Sequence, residues 1–148
     1  MTEINYSIRA MTINDYDKIV ELLRNTENVV LSDTDEREPM GRFLDRNPGL
    51  SSVAYKGTEL VGTILCSHDG RRGYLHHLAV DKRYRRLGIG TELVHRSLSL
   101  LSKEGITKCN IFLLEENKAG IAFWEYNGFQ LLDHFGWMQS AILELEQD

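Results

Sequence analysis

The stretch that decides the fold is His77-Leu78-Ala79-Val80-Asp81-Lys82-Arg83-Tyr84-Arg85-Arg86-Leu87-Gly88-Ile89-Gly90-Thr91. It begins as a buried-strand pattern, passes through a basic turn and ends in two glycines that open a long helical pattern. Because glycine has no Cβ, a ligand can come close to the backbone N–H groups of this loop. The first N–H groups of a helix are also unpaired and lie at the positive end of its dipole. The stretch therefore predicts an anion site suited to a pyrophosphate, surrounded by the cations Lys82, Arg83, Arg85 and Arg86.

The loop differs from two common phosphate-binding loops. It has no Gly-Lys-Ser/Thr ending, so it is not the loop of the P-loop nucleotide hydrolases. Gly88-Ile89-Gly90 lacks the third glycine of the dinucleotide-binding fingerprint, and strand-like runs precede it instead of further strand–helix–strand units. A module that binds ATP or NAD is therefore disfavoured.

Regular patterns flank the loop on both sides. Apolar residues at helical spacing predict a helix from Gly88 to Gly105, and the apolar run 108–114 after it predicts a buried central strand. A strand, a helix and a second strand in this order form a crossover, which makes the two strands parallel neighbours. Three strand-like runs separated by turn residues predict an antiparallel meander before the loop: 50–55, 60–67 and 73–80.

The two ends of the chain complete a mixed α/β fold. The first third predicts a strand over 6–11 and two helices, one from Thr12 past Leu23 and one over about 36–45. The last third predicts a short helix over 119–126 and two strands, over 129–133 and around 137–143. The predicted order is β-α-α-β-β-β-α-β-α-β-β, with a mixed central sheet of six to seven strands.

Composition and charge narrow the class of protein. The 148 residues are 42% hydrophobic and 26% charged, which is typical of a single globular domain over 1–148. The net charge of −5 disfavours nucleic-acid binding, and the sequence shows neither a signal peptide nor an apolar run that could span a membrane. We expect a cytoplasmic protein that works without nucleic acid, membrane or metal, with Cys66 and Cys109 as buried free thiols.

Three groups of residues carry a resemblance to a known family. Arg85-Arg86-Leu87-Gly88-Ile89-Gly90 matches a Q/R-x-x-G-x-G/A signature, and Leu78-Ala79-Val80-Asp81 precedes it. Further matches lie downstream, at Asn117, Ala122-Phe123-Trp124-Glu125 and Asn127-Gly128-Phe129. With these motifs and its element order, the chain resembles the GCN5-related N-acetyltransferases (GNAT), in particular the small single-domain bacterial members.

The resemblance implies an enzyme that transfers an acetyl group from the cosubstrate acetyl-CoA directly to an amine. In such folds the two central parallel strands splay apart, and the thioester lies in the gap. The pantetheine arm and the acetyl carbonyl would lie on the backbone of Leu78, Ala79 and Val80. Asn117 would contact the cofactor arm, and Trp124 would line the thioester pocket. The pyrophosphate would lie on the loop itself, at Arg85, Arg86, Leu87, Gly88, Ile89, Gly90 and Thr91.

Acetylation of an amine needs a base, because an alkylammonium with a pKa of about 10 has no free lone pair. Tyr74, His76 and His77 lie on the strand that precedes the loop. Side chains alternate along a strand, so Tyr74 and His76 would share one face and His77 would take the other, unless a bulge exchanges the faces. Some family members carry a histidine or glutamate on this strand, and imidazole suits the role near neutral pH. We predict His76 as the base. His77, or water beside two structural histidines, is the alternative.

The leaving thiolate needs a proton, and here the chain departs from the family. The usual tyrosine lies seven residues after the asparagine, a position that Trp124 holds, and an indole supplies no proton at neutral pH. Tyr126 is rotated from it by about 200° on a helix. Tyr74, Tyr126 or water would therefore supply the proton. A family subgroup uses a glutamate five residues before the asparagine, but this chain has Phe112 there, so that mechanism is absent.

The acceptor and the assembly stay open at the level of sequence. Residues 13–50 are expected to form part of the acceptor pocket, where four carboxylates could attract an amine: Asp33, Asp35, Glu36 and Glu38. The alternative function is a noncatalytic acyl-CoA sensor on the same fold, in which Trp124 marks the loss of acid catalysis. Transfer of another acyl group, or transfer to an alcohol, is a second enzymatic option. Either a monomer or a homodimer is compatible with the sequence.

Overall fold

The structure, a computed structural model, describes residues 5–142 of the chain. Its strands form one sheet in the order β1-β2-β3-β4-β5. The strands are β1 (Ser7–Ala10), β2 (Ser52–Lys56), β3 (Glu59–His68), β4 (Gly73–Val80) and β5 (Cys109–Ile111). The helices are α1 (Tyr16–Arg24), α2 (Arg37–Arg46), α3 (Ile89–Lys103) and α4 (Lys118–Tyr126).

The order and pairing of the strands confirm the predicted mixed sheet. β1 to β4 pair antiparallel with their neighbours, and β4 pairs parallel with β5 after the crossover through α3. The sheet separates two apolar cores. On one face, side chains such as Ile64 and Leu75 pack against Leu93 of α3. On the other face, Val53 and Leu65 share a core with α1 and α2.

Two glycines allow α3 to lie close against the sheet. A Cβ on Gly62 would be 3.1 Å from Leu93 Cδ1, and a Cβ on Gly73 would be 2.6 Å from Leu101 Cδ1. Side chains of α3 therefore occupy the space above the backbone of β3 and β4, which only glycine leaves free. This close packing fixes the N-terminus of α3 beside the end of β4.

A buried carboxylate joins β1, β2 and the start of α1. Asp15 accepts hydrogen bonds from the Arg9 guanidinium at 2.7 and 2.9 Å, from the Thr12 N–H at 2.9 Å and from the Tyr55 hydroxyl at 2.7 Å. Burial by itself would raise the pKa of Asp15, but these donors stabilise the anion and lower the pKa to about 2. The ionised carboxylate thus ties the first helix to the sheet edge.

The two strands predicted after α4 are absent from described residues 129–142, so the prediction of six to seven strands is wrong for the described sheet, which has five. Residue 143, where the last predicted strand ends, lies outside the described residues. Apolar residues here stand in adjacent pairs, such as Leu131-Leu132 and Trp137-Met138, so neither face of a strand would be wholly apolar. These residues are exposed and form no ladder, and a strand needs both a partner and a buried face.

β5 is also shorter and less buried than expected. The prediction of a buried central strand over 108–114 is wrong, because β5 covers three residues and forms one edge of the described sheet. Phe112 and Leu114 after it are exposed. Within 5–142 no helix is long and apolar enough to cross a bilayer.

Candidate active site

The parallel strands β4 and β5 part in the middle of β4. Their pairing joins Gly73 to Cys109, Tyr74 to Asn110 and Leu75 to Ile111, and it stops there. β4 continues to Val80, so the edge of β4 from His76 onward faces no strand among the described residues. Backbone groups on this edge remain available to a ligand. The structure therefore contains the predicted splay between the two parallel strands.

A bulge changes the direction of the side chains of β4 just beyond this point. Leu65 pairs with His76 and Thr63 pairs with Ala79, which leaves two residues of β4 opposite Ile64 alone. His77 has φ 50°, in the left-handed region. Leu75 consequently packs in the core under α3, whereas Ala79 packs in the core under α1 and α2. The alternation predicted for this strand is wrong beyond His76, because the extra residue interrupts the two-residue period.

The bulge places His76 and His77 on the same face of the sheet. The ring of His76 lies 6.5 Å from the ring of Phe43 on α2. The Nε2 atom of His77 lies 2.8 Å from Oδ1 of Asp35, in a short turn that precedes α2. A carboxylate only accepts hydrogen bonds, so Nε2 carries a hydrogen atom and donates a hydrogen bond to Asp35. The sequence pointed to Asp35 only as one of several acidic residues, because the pair joins positions 42 residues apart.

Asp35 is itself fixed by its surroundings. Its Oδ2 accepts a hydrogen bond from the Ser32 N–H at 3.0 Å, and its backbone carbonyl accepts one from the Tyr16 hydroxyl at 2.7 Å. The side chains of Asp35 and His77 are 14% and 18% exposed. The pair therefore links α1, the turn before α2 and the bulge of β4 on the face where the strands part.

Aromatic rings surround His76. Tyr74 stacks on it with 6.4 Å between ring centroids, and Phe112 lies 6.1 Å away. Burial lowers the pKa of His76, the neighbouring His77 lowers it further, and Asp35 opposes this change only in part. His76 is therefore a neutral imidazole at neutral pH, as a base for an amine requires.

The rings extend from His76 to the surface. Trp137 packs on Phe112 with 4.2 Å between centroids, and Phe112 lies 6.3 Å from Tyr74. Phe112 and Trp137 are 46% and 73% exposed. We call the five rings Phe43, Tyr74, His76, Phe112 and Trp137 the aromatic cluster. Sequence reasoning did not include Phe43 or Trp137, because no local pattern connects α2 and the C-terminal segment to β4.

The N-terminus of α3 has the geometry that the glycine loop predicted. Gly88 adopts φ 89° with open space around it, and Arg86 adopts φ 63°. The first intrahelical hydrogen bond runs from the Glu92 N–H to the Gly88 carbonyl at 3.0 Å. The preceding N–H groups of residues 88–91 donate to no group in the part of the chain that is described. A Cβ on Gly90 would lie 3.4 Å from Phe123 of α4, so α4 covers one side of these donors.

The four cations of the loop differ in their partners. Arg85 donates from Nε to the Val80 carbonyl at 3.0 Å and pairs with Glu27, which Lys82 also approaches at 3.9 Å. Arg83 pairs with Glu59 and Asp81. Arg86 is exposed and forms no ion pair with a described residue. Of the four, Arg86 is thus the cation whose charge remains available to an anion at the helix N-terminus.

The sequence matches the profile described as the acetyltransferase (GNAT) family over residues 16–129. The chain belongs to this family. It is an acetyl-transferring enzyme. An acetyltransferase of Sodalis glossinidius (strain morsitans) is 29% identical over 137 residues, which cover 93% of this chain and 96% of that protein. N-alpha-acetyltransferase 30 of Xenopus laevis is 40% identical over 95 residues, but these cover 59% of this chain and only 34% of that protein.

Solved structures agree on the fold of this acetyltransferase. Ard1 from Thermoplasma volcanium superimposes with a TM-score of 0.77 at 20% identity, covering 87% of this chain and 85% of that one. The PaiA N-acetyltransferase from Thermoplasma acidophilum, solved in complex with coenzyme A, also has a TM-score of 0.77, at 22% identity, with 90% and 94% covered. At these identities the likeness concerns the fold.

The residues predicted on α4 of the acetyltransferase have mainly structural contacts. Asn117 Oδ1 accepts the Gly120 N–H at 3.0 Å and so caps α4. Trp124, 7% exposed, packs edge-on against Phe129 with 4.9 Å between centroids. Tyr126 is 84% exposed, on the side of α4 away from Trp124. Neither aromatic residue belongs to the aromatic cluster, so Tyr74 is the predicted proton donor that the structure brings beside His76.

The two thiols of the acetyltransferase are unsuited to covalent catalysis. Burial raises the pKa of Cys66 to about 12 and that of Cys109 to about 11, so both are protonated at neutral pH and nucleophilic only to a small degree. In residues 5–142, no three His, Cys, Asp or Glu side chains are placed to hold a metal ion together.

Proposed function

We propose that the chain transfers the acetyl group of acetyl-CoA to an amine without an acyl-enzyme. One observation carries the proposal: the unpaired donors at the N-terminus of α3 lie at the end of β4, beside the strand edge that lost its partner after Leu75. An anion site and a free strand edge in series suit a ligand that has a pyrophosphate at one end and amide groups along its arm.

The proposed cosubstrate site uses mainly backbone groups of this chain. The N–H groups of residues 86–91 and the side chain of Arg86 would hold the pyrophosphate. The edge of β4 at Leu78, Ala79 and Val80 would pair with the pantetheine amides, apart from the Val80 carbonyl, which accepts from Arg85. Asn117 and Trp124 remain proposed neighbours of the arm, although their described contacts are within the protein. The cosubstrate supplies an activated acetyl carbon as a thioester.

The proton chemistry is assigned to the face that carries the aromatic cluster. The amine nitrogen forms a bond to the acetyl carbon, and the carbon–sulfur bond breaks. His76, neutral because it is buried, would take the proton that the amine loses. A backbone N–H of Leu78 to Val80 would stabilise the oxyanion. Tyr74, stacked on His76, would donate a proton or hydrogen bond to the thiolate.

The acceptor is proposed to bind on the side of α2 and the C-terminal segment. Aromatic faces attract cationic amines, and Phe112 and Trp137 expose their rings on this side. The relative named N-alpha-acetyltransferase 30 makes the free N-terminus of a polypeptide one reasonable acceptor, beside small primary amines. We also expect a cytoplasmic location, since both cysteines are free thiols, as in proteins of reducing compartments.

The test is calorimetry of acetyl-CoA binding to wild type, Gly88→Glu and Gly70→Glu. Gly88 and Gly70 share φ 89° and open surroundings, so both substitutions cause the same backbone strain, and only the first places a carboxylate at the anion site. We expect Gly88→Glu to lose binding and Gly70→Glu to keep it. A wild type that does not bind acetyl-CoA would contradict the proposal.

Turnover with amines tests the proposed class of acceptor. Phenethylamine and a short peptide with a free N-terminus serve as amine probes, with release of the CoA thiol as the signal. A noncatalytic sensor is disfavoured, because the family match makes the chain an acetyl-transferring enzyme. Tight binding of acetyl-CoA with no turnover of any amine in a wider screen would contradict an amine acceptor.

A further inference from the structure

His77 is held in a backbone conformation that its side chain does not favour. Its φ of 50° lies in the left-handed region, where the Cβ of a residue other than glycine approaches the backbone. Such conformations persist only when surrounding contacts stabilise them, and they are concentrated at functional sites. This residue lies in the bulge of β4, which places His76 and His77 on the same face.

The hydrogen bond to Asp35 is the contact that opposes this strain. It is charge-assisted, since a carboxylate accepts the hydrogen bond, with 2.8 Å between Nε2 and Oδ1, and both side chains are mostly buried. Ser32 and Tyr16 hold Asp35 in turn, so the acceptor of this bond cannot follow His77 if the strand relaxes. If φ of His77 returned to the β region, its imidazole would have to leave Asp35 and turn toward the core under α3.

We propose that Asp35 is a positioning residue of the active site, which keeps His77 left-handed and thereby maintains the bulge. The bulge in turn keeps His76 beside Tyr74 and Phe112, where the strands part. His77 then acts through its backbone, not as a proton acceptor. The expected effect of Asp35 on turnover rests on the proposed function. Its effect on the bulge does not, because the bulge can be measured without any ligand.

Glycine at position 77 separates backbone strain from imidazole chemistry. Both His77→Ala and His77→Gly remove the hydrogen bond, but only glycine adopts φ 50° without strain. Asp35→Ala removes the same bond from the other side, and Asp35→Ala combined with His77→Gly removes the bond and the strain together. Asp33→Ala is the matched control, because Asp33 is an exposed carboxylate in the same turn that forms no bond to His77.

The first measurement is the amide NMR spectrum of His76, Leu78 and Ala79 in the ligand-free protein, because residue 77 is itself replaced in several variants. We expect these signals to shift or broaden in Asp35→Ala and His77→Ala, and to return close to their wild-type positions in the double variant. Asp33→Ala should leave them unchanged. Wild-type signals in Asp35→Ala would overturn the proposal, because the bulge would then not depend on Asp35.

The second measurement is kcat/KM for phenethylamine or the free peptide at saturating acetyl-CoA. We expect a loss of about tenfold in Asp35→Ala and His77→Ala, and recovery to within about threefold of wild type in the double variant. The Kd of acetyl-CoA should stay within about twofold throughout. Equal losses in His77→Ala and His77→Gly would show that the imidazole itself is needed and would overturn the positioning role. If the wild type lacks turnover, the proposed function fails, and the NMR result still decides the role of Asp35.

Discussion

Leu75 of β4 and Ile111 of β5 form the last paired position between the two parallel strands. Three features meet within a few residues of this point: the free edge of β4, the bulge at His77 and the aromatic cluster. The α3 face of the sheet supplies the proposed anion site, and the opposite face supplies the proposed base. In the gap after Leu75, a cosubstrate bound from the α3 face of the sheet can therefore meet an acceptor bound from the opposite face.

The two glycines of the loop should respond differently to alanine. Gly88 has φ 89°, so Gly88→Ala introduces strain that we expect to cost about 1 kcal/mol of unfolding free energy. Gly90 is helical, and its Cβ would lie 3.4 Å from the Phe123 ring, which can shift slightly. Gly90→Ala should therefore change stability by less than about 0.5 kcal/mol. Urea unfolding of both variants checks this, and equal losses would contradict it.

The lowered pKa of His76 predicts the acidic limb of the pH profile. The base acts as neutral imidazole, so kcat/KM falls when pH drops through the pKa of His76, which burial places below 6.5. In His76→Gln we expect the pH profile of kcat/KM to lose this inflection. We also expect kcat/KM near neutral pH to fall at least about tenfold. A profile of His76→Gln that retains the wild-type inflection would assign the base elsewhere.

Asp15 should make stability depend on acid pH. Its folded pKa of about 2 lies below the unfolded value of about 3.9, so its contribution of about 2 kcal/mol is fully present above pH 4 and is lost as pH falls toward 2. Asp15→Asn should therefore be less stable than wild type at pH 7, with a difference that shrinks in acid. Asp17→Asn is the control, because Asp17 is an exposed carboxylate on α1. Its difference in stability from wild type should not shrink in acid.

Both cysteines should be inert in catalysis and slow to react. Burial raises their pKa values to about 12 and about 11, so the thiolate fraction at pH 8 is very small. We expect iodoacetamide to modify native Cys66 and Cys109 much more slowly than the unfolded chain, and Cys109→Ala to keep its turnover. An acetylated cysteine trapped with acetyl-CoA alone, seen by mass spectrometry, would contradict direct transfer.

Sequence alone predicted the parts of the site that local chemistry determines. Gly88 marks the start of a helix, where backbone N–H groups are unpaired wherever the helix packs. The strand–helix–strand crossover around it indicates that the two strands are parallel. The Asp35–His77 bond and the contact of Phe112 with Trp137 were not predictable, because tertiary packing brings distant segments together. The sequence allowed a bulge at the two histidines but did not indicate one, since adjacent histidines fit a regular strand equally well. The predicted C-terminal strands failed because apolar content indicates a strand only if a partner edge pairs with it.

Trp137 tests whether the aromatic cluster binds the acceptor. Its ring packs on Phe112 at 4.2 Å and is 73% exposed, so Trp137→Ala removes an aromatic face from the mouth of the site and little buried area. We expect the KM of phenethylamine to rise about fivefold or more, with the Kd of acetyl-CoA and the melting temperature nearly unchanged. Met138→Ala is the matched control, because Met138 is the next residue and is 95% exposed. Equal KM values in the two variants would place the acceptor away from the cluster.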